Sequence, residues 1–159
     1  MRKNFDVVIL FFAIIMSVSC ASQRVLIYNS ESAAQFSMRE VNVRKINVVV
    51  DYIVREEMET EVKNSMFAYL GLQENFSNKD SVYLDISLVE RSYFNGIKQI
   101  KSLYSTSLFY DHTGQIIGGV SRSIQGKKTI VSSVFLQDQV YRLSCAIHKK
   151  FLNSAVLKK

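Results

Sequence analysis

The spacing of apolar residues changes period several times within residues 41–155, and this constrains the fold more than any other feature. Between Val41 and Val54 apolar and polar side chains alternate, which predicts a β-strand. Over Arg55–Leu70 apolar residues recur every three or four positions, which predicts an amphipathic helix. Glutamates in its first turns suit the positive end of the helix dipole, and Gly71 is a typical helix stop.

Shorter alternating segments and turn signals follow. Three more strands are predicted, at Ser81–Arg91, Ile97–Tyr110 and Gln115–Ile124. Asn95-Gly96 predicts a type I′ hairpin turn, residues 111–114 predict a second turn, and Gly118-Gly119 predicts a bulge. A final amphipathic helix is predicted over Ser133–Ala155.

This order of elements predicts an α/β fold. A right-handed crossover through the first helix makes the first two strands parallel. Both helices can then cover one face of a mixed four-stranded sheet, which gives a two-layer sandwich in the order β-α-β-β-β-α. At 159 residues and without proline, the chain has the length of one such domain.

The first twenty residues have the layout of an export signal. Arg2 and Lys3 give a cationic start, residues 7–16 are all apolar, and small residues precede Cys20. The apolar run is about half the length that a membrane-spanning helix needs. Residues 1–19 are therefore predicted to be a cleaved signal peptide.

The segment Ser17-Val18-Ser19-Cys20 resembles the lipobox of bacterial lipoproteins. The resemblance implies that the thiol of Cys20 receives a diacylglycerol, that Cys20 becomes the N-terminus, and that acyl chains such as palmitate hold the protein at a membrane. Ser17 departs from the usual leucine, and Asp6 is an unusual charge for such a signal. Ordinary signal-peptidase cleavage, with Cys20 left as a free thiol, is the alternative.

The mature chain then divides into a tether at residues 20–40 and a single α/β domain at residues 41–159. The tether segment is polar except for Val25–Tyr28, an apolar patch that fits an edge strand. A flexible tether of this length holds a domain away from the membrane. Because the lipid occupies Cys20, Cys145 has no partner for an intramolecular disulfide and is expected to be a buried small residue.

The net charge of +6 favours acidic partners, but export argues against nucleic acid. Anionic lipid head groups are the more plausible partners, and a general surplus that aids solubility is the alternative. His112 and His148 do not have the spacing of metal ligands, and no nucleophile motif or phosphate-binding glycine loop is present. We therefore predict no catalytic residues, no metal, and no cofactor besides the lipid on Cys20.

Folding the predicted strands by their turns brings basic residues to one end of the sheet. Arg91 is placed opposite Ile100, and Lys127 opposite Lys98. The predicted anion-binding cluster comprises Arg91, Lys98, Lys101, Lys127 and Lys128. The alternative is neutralisation by Glu56, Glu57 and Glu59, which a parallel first strand brings to the same end.

A second candidate surface is the sheet face that turns away from the helices. Its predicted residues are Val49, Ile53, Tyr83, Val89, Leu103 and Phe109. An apolar face of that kind typically marks an interface. Residues 21–40 folding back over it are the alternative cover.

These features predict a non-enzymatic, membrane-anchored lipoprotein of the bacterial cell envelope, at the outer membrane facing the periplasm. It would serve as an accessory or adaptor subunit with a protein partner. The element order over Val41–Val156 resembles small auxiliary lipoproteins of lipopolysaccharide assembly and lipid transport. The alternative function is a lipid or glycolipid carrier that uses the open sheet face.

Overall fold

The computed structural model describes residues 22–26, 41–72 and 82–152. The predicted signal peptide, Cys20 and most of the predicted tether lie outside these ranges. The strands are β1 (Ser22–Leu26), β2 (Val41–Val50), β3 (Ile53–Val54), β4 (Val82–Phe94), β5 (Gln99–Tyr110) and β6 (Ile116–Gly126). The helices are α1 (Glu56–Leu70) and α2 (Ser133–Ile147), and α2 continues into a π-helical turn at His148–Leu152.

The strands form one mixed sheet in the order β1-β6-β5-β4-β2-β3. Strands β2 and β4 are parallel, as the crossover through α1 predicts, and β4, β5 and β6 form an antiparallel meander. The α/β sandwich is therefore confirmed, with the short strands β1 and β3 added to the four long ones. No helix in the described ranges is long and apolar enough to cross a membrane.

The core lies between one face of the sheet and both helices. The buried side chains of β4 alternate as predicted: Val82, Leu84, Ile86 and Leu88. The helices bury Met58, Val62, Met66 and Leu70 from α1, and Leu136, Val140, Leu143 and Ile147 from α2. The π-helical turn places Phe151 against Phe109, with ring centroids 4.7 Å apart. The predicted continuous helix to Ala155 is wrong at this turn, and residues 153–155 lie outside the described ranges.

Two turns differ from the prediction, and each difference shifts the strand register. The β4–β5 loop spans residues 95–98, because the side chain of Asn95 accepts hydrogen bonds from the amides of Ile97 and Lys98. The hairpin is thus centred one residue later than a two-residue Asn95-Gly96 turn. Consequently Arg91 pairs with Ser102, and the predicted pairing with Ile100 is wrong.

The second turn is also longer than predicted. Asp111 accepts from the amides of Thr113 and Gln115, and its own amide bonds to the carbonyl of Gln115, which closes a five-residue loop. The β5–β6 register then shifts beside Gly118, close to the predicted bulge. A Cβ on Gly119 would come within 2.7 Å of the Ser107 carbonyl oxygen, so this glycine permits the close approach of β5 and β6. Gly126 pairs with Lys101, and the predicted pairing of Lys127 with Lys98 is wrong.

The predicted strand Val41–Val54 is interrupted by a tight turn. Asp51 and Tyr52 both have positive φ, at 47° and 73°, as a type I′ turn requires. Asp51 offsets part of the backbone strain, because its carboxylate accepts from the amide and hydroxyl of Ser92 at 2.6 and 2.8 Å. The turn folds β3 back onto β2 at the edge of the sheet.

The sheet face away from the helices is less apolar than predicted. Val49, Tyr83 and Val89 lie there as expected, but Leu103 and Phe109 are buried in the core beneath the helices. Polar side chains also form a row across the centre of this face: Asn47, Ser87, Thr106 and Ser121. The prediction failed in β5 because both of its faces mix polar and apolar residues, so alternation did not distinguish them.

Candidate functional site

One end of the sheet gathers most of the predicted basic residues, and we call it the hairpin end. It comprises the β4–β5 loop at residues 95–98, the end of β6 at Gly126, and residues 127–133 leading into α2. Strand β5 begins at this end and α2 begins above it. The turn at Asp51-Tyr52 is joined to it, because the Asp51 amide bonds to the Glu90 carbonyl at 3.0 Å.

A fully buried carboxylate, that of Glu90, organises the hairpin end. One of its oxygens accepts from Lys101 Nζ at 3.0 Å and from Thr129 Oγ1 at 2.7 Å. The other accepts from the amide of Ile130 at 2.7 Å. These bonds join β4 and β5 to the segment that leads into α2. A buried carboxylate is stable in such a setting only when its charge and its lone pairs are satisfied.

Beside this network lies a cavity of about 330 Å³. Its lining residues are Lys101, Leu103, Ile124, Gln125, Gly126, Lys127, Lys128 and Phe135. Three of the five predicted basic residues therefore meet at one cavity: Lys101, Lys127 and Lys128. The Lys128 Nζ atom is 6.0 Å from the centre of the Phe135 ring. The cavity thus has an apolar floor and a basic rim.

The other two predicted residues do not line this cavity. Arg91 lies on the outer face of β4, with its guanidinium 3.6 Å from the centre of the Tyr52 ring. Lys98 is exposed in the β4–β5 loop. Both remain at the hairpin end, but Arg91 faces away from the helices and Lys98 lies in the loop, so neither reaches the cavity lysines.

The residue that neutralises part of the cluster is not the one that the sequence suggested. Glu57 lies 3.8 Å from Arg55, in an exposed pair next to its own helix start. Lys101 instead pairs with Glu90, a residue that the sequence patterns did not single out. In the described ranges, Lys98, Lys127 and Lys128 have no ion-pair partner within 4.0 Å.

Large apolar side chains are also exposed at the hairpin end, and the apolar periodicity did not identify them. Tyr52 is 82% exposed, Phe94 69% and Ile97 86%. Val131 and Val134 are exposed next to the start of α2. The signal in the sequence was the apolar pair Tyr93-Phe94 so close to a turn. Lysines and aromatic rings side by side are typical of surfaces that contact membrane interfaces.

The first described residue of the chain lies toward the same end. Strand β1 is an edge strand, antiparallel to β6, with Ser22 opposite Ser123 and Leu26 opposite Gly119. The predicted edge strand is thus present, although it begins before Val25. Cys20 precedes Ser22 by two residues, so their Cα atoms are at most about 7 Å apart. The predicted lipidation site is therefore two residues before the end of β1 that lies toward the hairpin end.

Other sequence predictions concern single side chains. Cys145 is a free, exposed thiol, so its predicted burial is wrong. It lies on a helix flank that the core does not reach. His112 and His148 are both exposed, in a turn and at the end of α2. Among the residues that the structure describes, no group of three His, Cys, Asp or Glu side chains could hold a metal ion.

No protein-family model and no curated protein sequence matches this chain. Solved structures with similar architecture include the PelC dodecamer from Paraburkholderia phytofirmans, at 11% identity and a TM-score of 0.46, covering 82% of this chain and 96% of that one. A minor lipoprotein from Acinetobacter baumannii matches at 15% identity and a TM-score of 0.37, covering 70% of this chain and 92% of that one.

Proposed function

We propose that this protein is a non-enzymatic lipoprotein of the bacterial envelope, anchored through acyl chains on Cys20. Its α/β domain rests with the hairpin end against an anionic membrane surface. The opposite end of the domain is then presented to a protein partner, as in an accessory or adaptor subunit. The outer membrane, on its periplasmic side, is the proposed location, and neither nucleic acid nor a cofactor takes part.

The placement of β1 is the observation on which this proposal rests. Ser22 pairs with Ser123 at the edge of the sheet, and only Ala21 lies between Cys20 and this strand, which supports a short connection between anchor and domain. A lipid on Cys20 would then enter the bilayer close to the hairpin end. The lipid anchor and the exposed lysines would then contact the same membrane, and the domain is expected to lie directly on its surface.

Charge and apolar exposure support the same orientation. Lys98, Lys127 and Lys128 are exposed, and each basic residue near an anionic leaflet contributes about 1 kcal/mol to attraction. Tyr52, Phe94 and Ile97 are placed where the acyl boundary would receive them. The acyl chains of a diacylglycerol are enough to hold the protein at the bilayer, and the basic surface beside them would orient the domain on an anionic leaflet.

The lipid-carrier alternative has less support. Its ligand platform was the outer sheet face, and the centre of that face is the polar row described above, in which the Thr106 and Ser121 hydroxyls lie 3.5 Å apart. This polar row interrupts the apolar area of the face, so an acyl chain lying across it could not bury its full length against apolar side chains.

Binding of the acylated protein to vesicles tests the proposal. The double substitution Lys98→Glu with Lys127→Glu is expected to weaken binding to phosphatidylglycerol vesicles by about tenfold or more, relative to phosphatidylcholine vesicles. Lys45→Glu with Lys150→Glu is the matched control, since it makes the same charge change away from the hairpin end. Equal effects of the two double substitutions would show that the net charge of the protein, and not the position of these lysines, determines binding.

Crosslinking in intact cells separates adaptor from carrier. Photo-crosslinkers at exposed positions away from the hairpin end, such as Lys45 in β2 and Ala68 near the end of α1, are expected to capture one envelope protein reproducibly. The counter-test is lipid analysis of the protein after purification in neutral detergent. A stoichiometric lipid other than the covalent anchor would favour the carrier function instead.

A further inference from the structure

A second cavity, of about 370 Å³, lies along the outer flank of α2. The polar side chains that line it are Arg122, Asp138, Tyr141, Arg142, Cys145 and Lys149. It shares no lining residue with the cavity at the hairpin end. Three of these side chains are basic and a single one is a carboxylate, so the cavity has an excess of positive charge.

Arg122 is the residue that distinguishes this cavity. It projects from β6 beneath α2, and only 7% of its surface is exposed. Its Nη1 atom is buried and has no hydrogen-bond partner in the part of the chain that the structure describes. Desolvation by burial and then the charge of Arg142 lower the pKa of Arg122 from its ordinary value, and the charge of Asp138 offsets only part of this effect. An arginine nevertheless remains protonated in proteins, so an unmatched cation is held at the cavity wall.

The one carboxylate in the cavity is already engaged. Asp138 accepts from Arg142 Nε with both oxygens, at 3.0 and 2.9 Å, and also from Gln139 Nε2 at 2.8 Å. No ion pair joins Asp138 to Arg122 in the described residues. The charge of Arg122 therefore lacks the kind of partner that Glu90 provides for Lys101. Because a buried cation without a partner is costly, an anion taken up from solution would stabilise this arrangement.

The remaining wall of the cavity is held in place. Tyr141 makes an edge-to-face contact with Tyr69 of α1, with ring centroids 5.3 Å apart. Its interaction with Cys145 raises the pKa of Tyr141 above the ordinary value of a phenol. The cavity is thus bounded by an aromatic ring, an exposed thiol and three cations.

We propose that this cavity binds a phosphate group, with Arg122 as the buried contact and Arg142 and Lys149 at the rim. Guanidinium groups donate paired hydrogen bonds to phosphate oxygens in a geometry that lysine does not match. Two positive charges remain after Asp138 is counted, which matches a phosphate dianion. The volume exceeds that of inorganic phosphate alone, so a phosphate carried on a small head group also fits.

Thermal unfolding of the protein purified from membranes in neutral detergent tests the site. Inorganic phosphate and a soluble short-chain phosphatidic acid are the two probes, each compared with sodium chloride at equal ionic strength. Either probe is expected to raise Tm in a saturable way, because a ligand that binds only the folded state stabilises it. A rise in Tm with phosphate alone would identify the ligand as a free anion, and a rise with the lipid alone would identify it as a phospholipid head group. No saturable response to either probe would overturn the proposal.

Substitutions locate the response. Arg122→Met is expected to weaken binding by about tenfold or more, and Arg142→Gln on the exposed helix surface by a smaller factor. Lys128→Met, which removes a cation from the other cavity, is the matched control and should leave the response intact. An unchanged response in both arginine variants would contradict the assignment.

Cys145 provides a readout in the unsubstituted protein. Alkylation of this exposed thiol by iodoacetamide, followed by peptide mass mapping, is expected to slow when phosphate occupies the cavity. The measurement does not depend on whether Arg122→Met folds. Equal alkylation rates with and without saturating probe would contradict binding at this position.

Discussion

Lys101 and Arg122 are basic residues on neighbouring strands of one sheet, and each lines a cavity beside α2. Lys101 lies 3.0 Å from the fully buried carboxylate of Glu90. Arg122 is more buried than Lys101 and has an Nη1 atom without a partner among the described residues. Lys101 thus has a carboxylate partner within the fold, whereas Arg122 has no ion pair among the described residues.

This difference in pairing distinguishes a charge that stabilises the fold from a charge that is available to a ligand. Glu90 uses its lone pairs on Lys101, Thr129 and the Ile130 amide, and so connects the sheet to the start of α2. Among the described residues, Arg122 has no ion pair within 4.0 Å, and its Nη1 atom has no hydrogen-bond partner. The fold should therefore depend strongly on Glu90 and only weakly on Arg122, whereas binding should show the opposite dependence.

The largest expected effect on stability is that of Glu90→Leu. It leaves Lys101 and the buried Ile130 amide without their acceptor, and removing one member of a buried pair costs about 3–5 kcal/mol. Glu57→Leu removes an exposed carboxylate 3.8 Å from Arg55 and is expected to cost no more than about 1 kcal/mol. Denaturant titration of both variants measures the two free energies of unfolding. Similar small losses would show that the Glu90 network is not structural.

A smaller effect is expected from paired substitutions of the two cations. Lys101→Met should cost about 1–3 kcal/mol, because Glu90 keeps two neutral donors but loses its counter-ion. Arg122→Met should change the free energy of unfolding by less than about 1 kcal/mol or raise it, since an unmatched buried cation is replaced by an apolar chain. Denaturant titration without phosphate compares them. A larger loss for Arg122→Met than for Lys101→Met would reverse the comparison.

The smallest effect concerns an exposed carboxylate near the same end. The side-chain and backbone hydrogen bonds from Ser92 lower the pKa of Asp51 below its ordinary value of 3.8. The ionised form therefore stabilises the fold above that value, and the contribution is lost as pH falls through the lower folded-state pKa. Ser92→Ala should consequently cost more stability at neutral pH than at a pH well below 3.8. A loss that is equal at both pH values would remove Asp51 as its cause.

Much of the fold was predictable because its signals are local. The alternation in β4 and the apolar stripe of α2 are repeated patterns, and each identifies its buried face directly. The αL conformation of Gly71 at the end of α1 likewise follows from the residue type. Such features depend on a few neighbouring residues and not on tertiary contacts.

The site was harder to predict because it depends on register and on pairing. The side chain of Asn95 lengthens the hairpin loop, and that change alone moves Arg91 away from its predicted partner. Asp51 and Tyr52 form a turn in which both residues have positive φ, and their residue types did not predict it. Whether a cation is matched is a property of the folded molecule, so neither Glu90 nor Arg122 was identified from its spacing.

The proposed membrane orientation depends above all on lipid anchoring at Cys20, two residues before the start of β1 at Ser22. Intact mass and N-terminal peptide mass spectrometry of the protein isolated from membranes test it most directly. We expect a mature chain that begins at Cys20 and has a diacylglycerol on its sulfur. An unmodified Cys20 thiol, or a chain that begins at another residue, would contradict it.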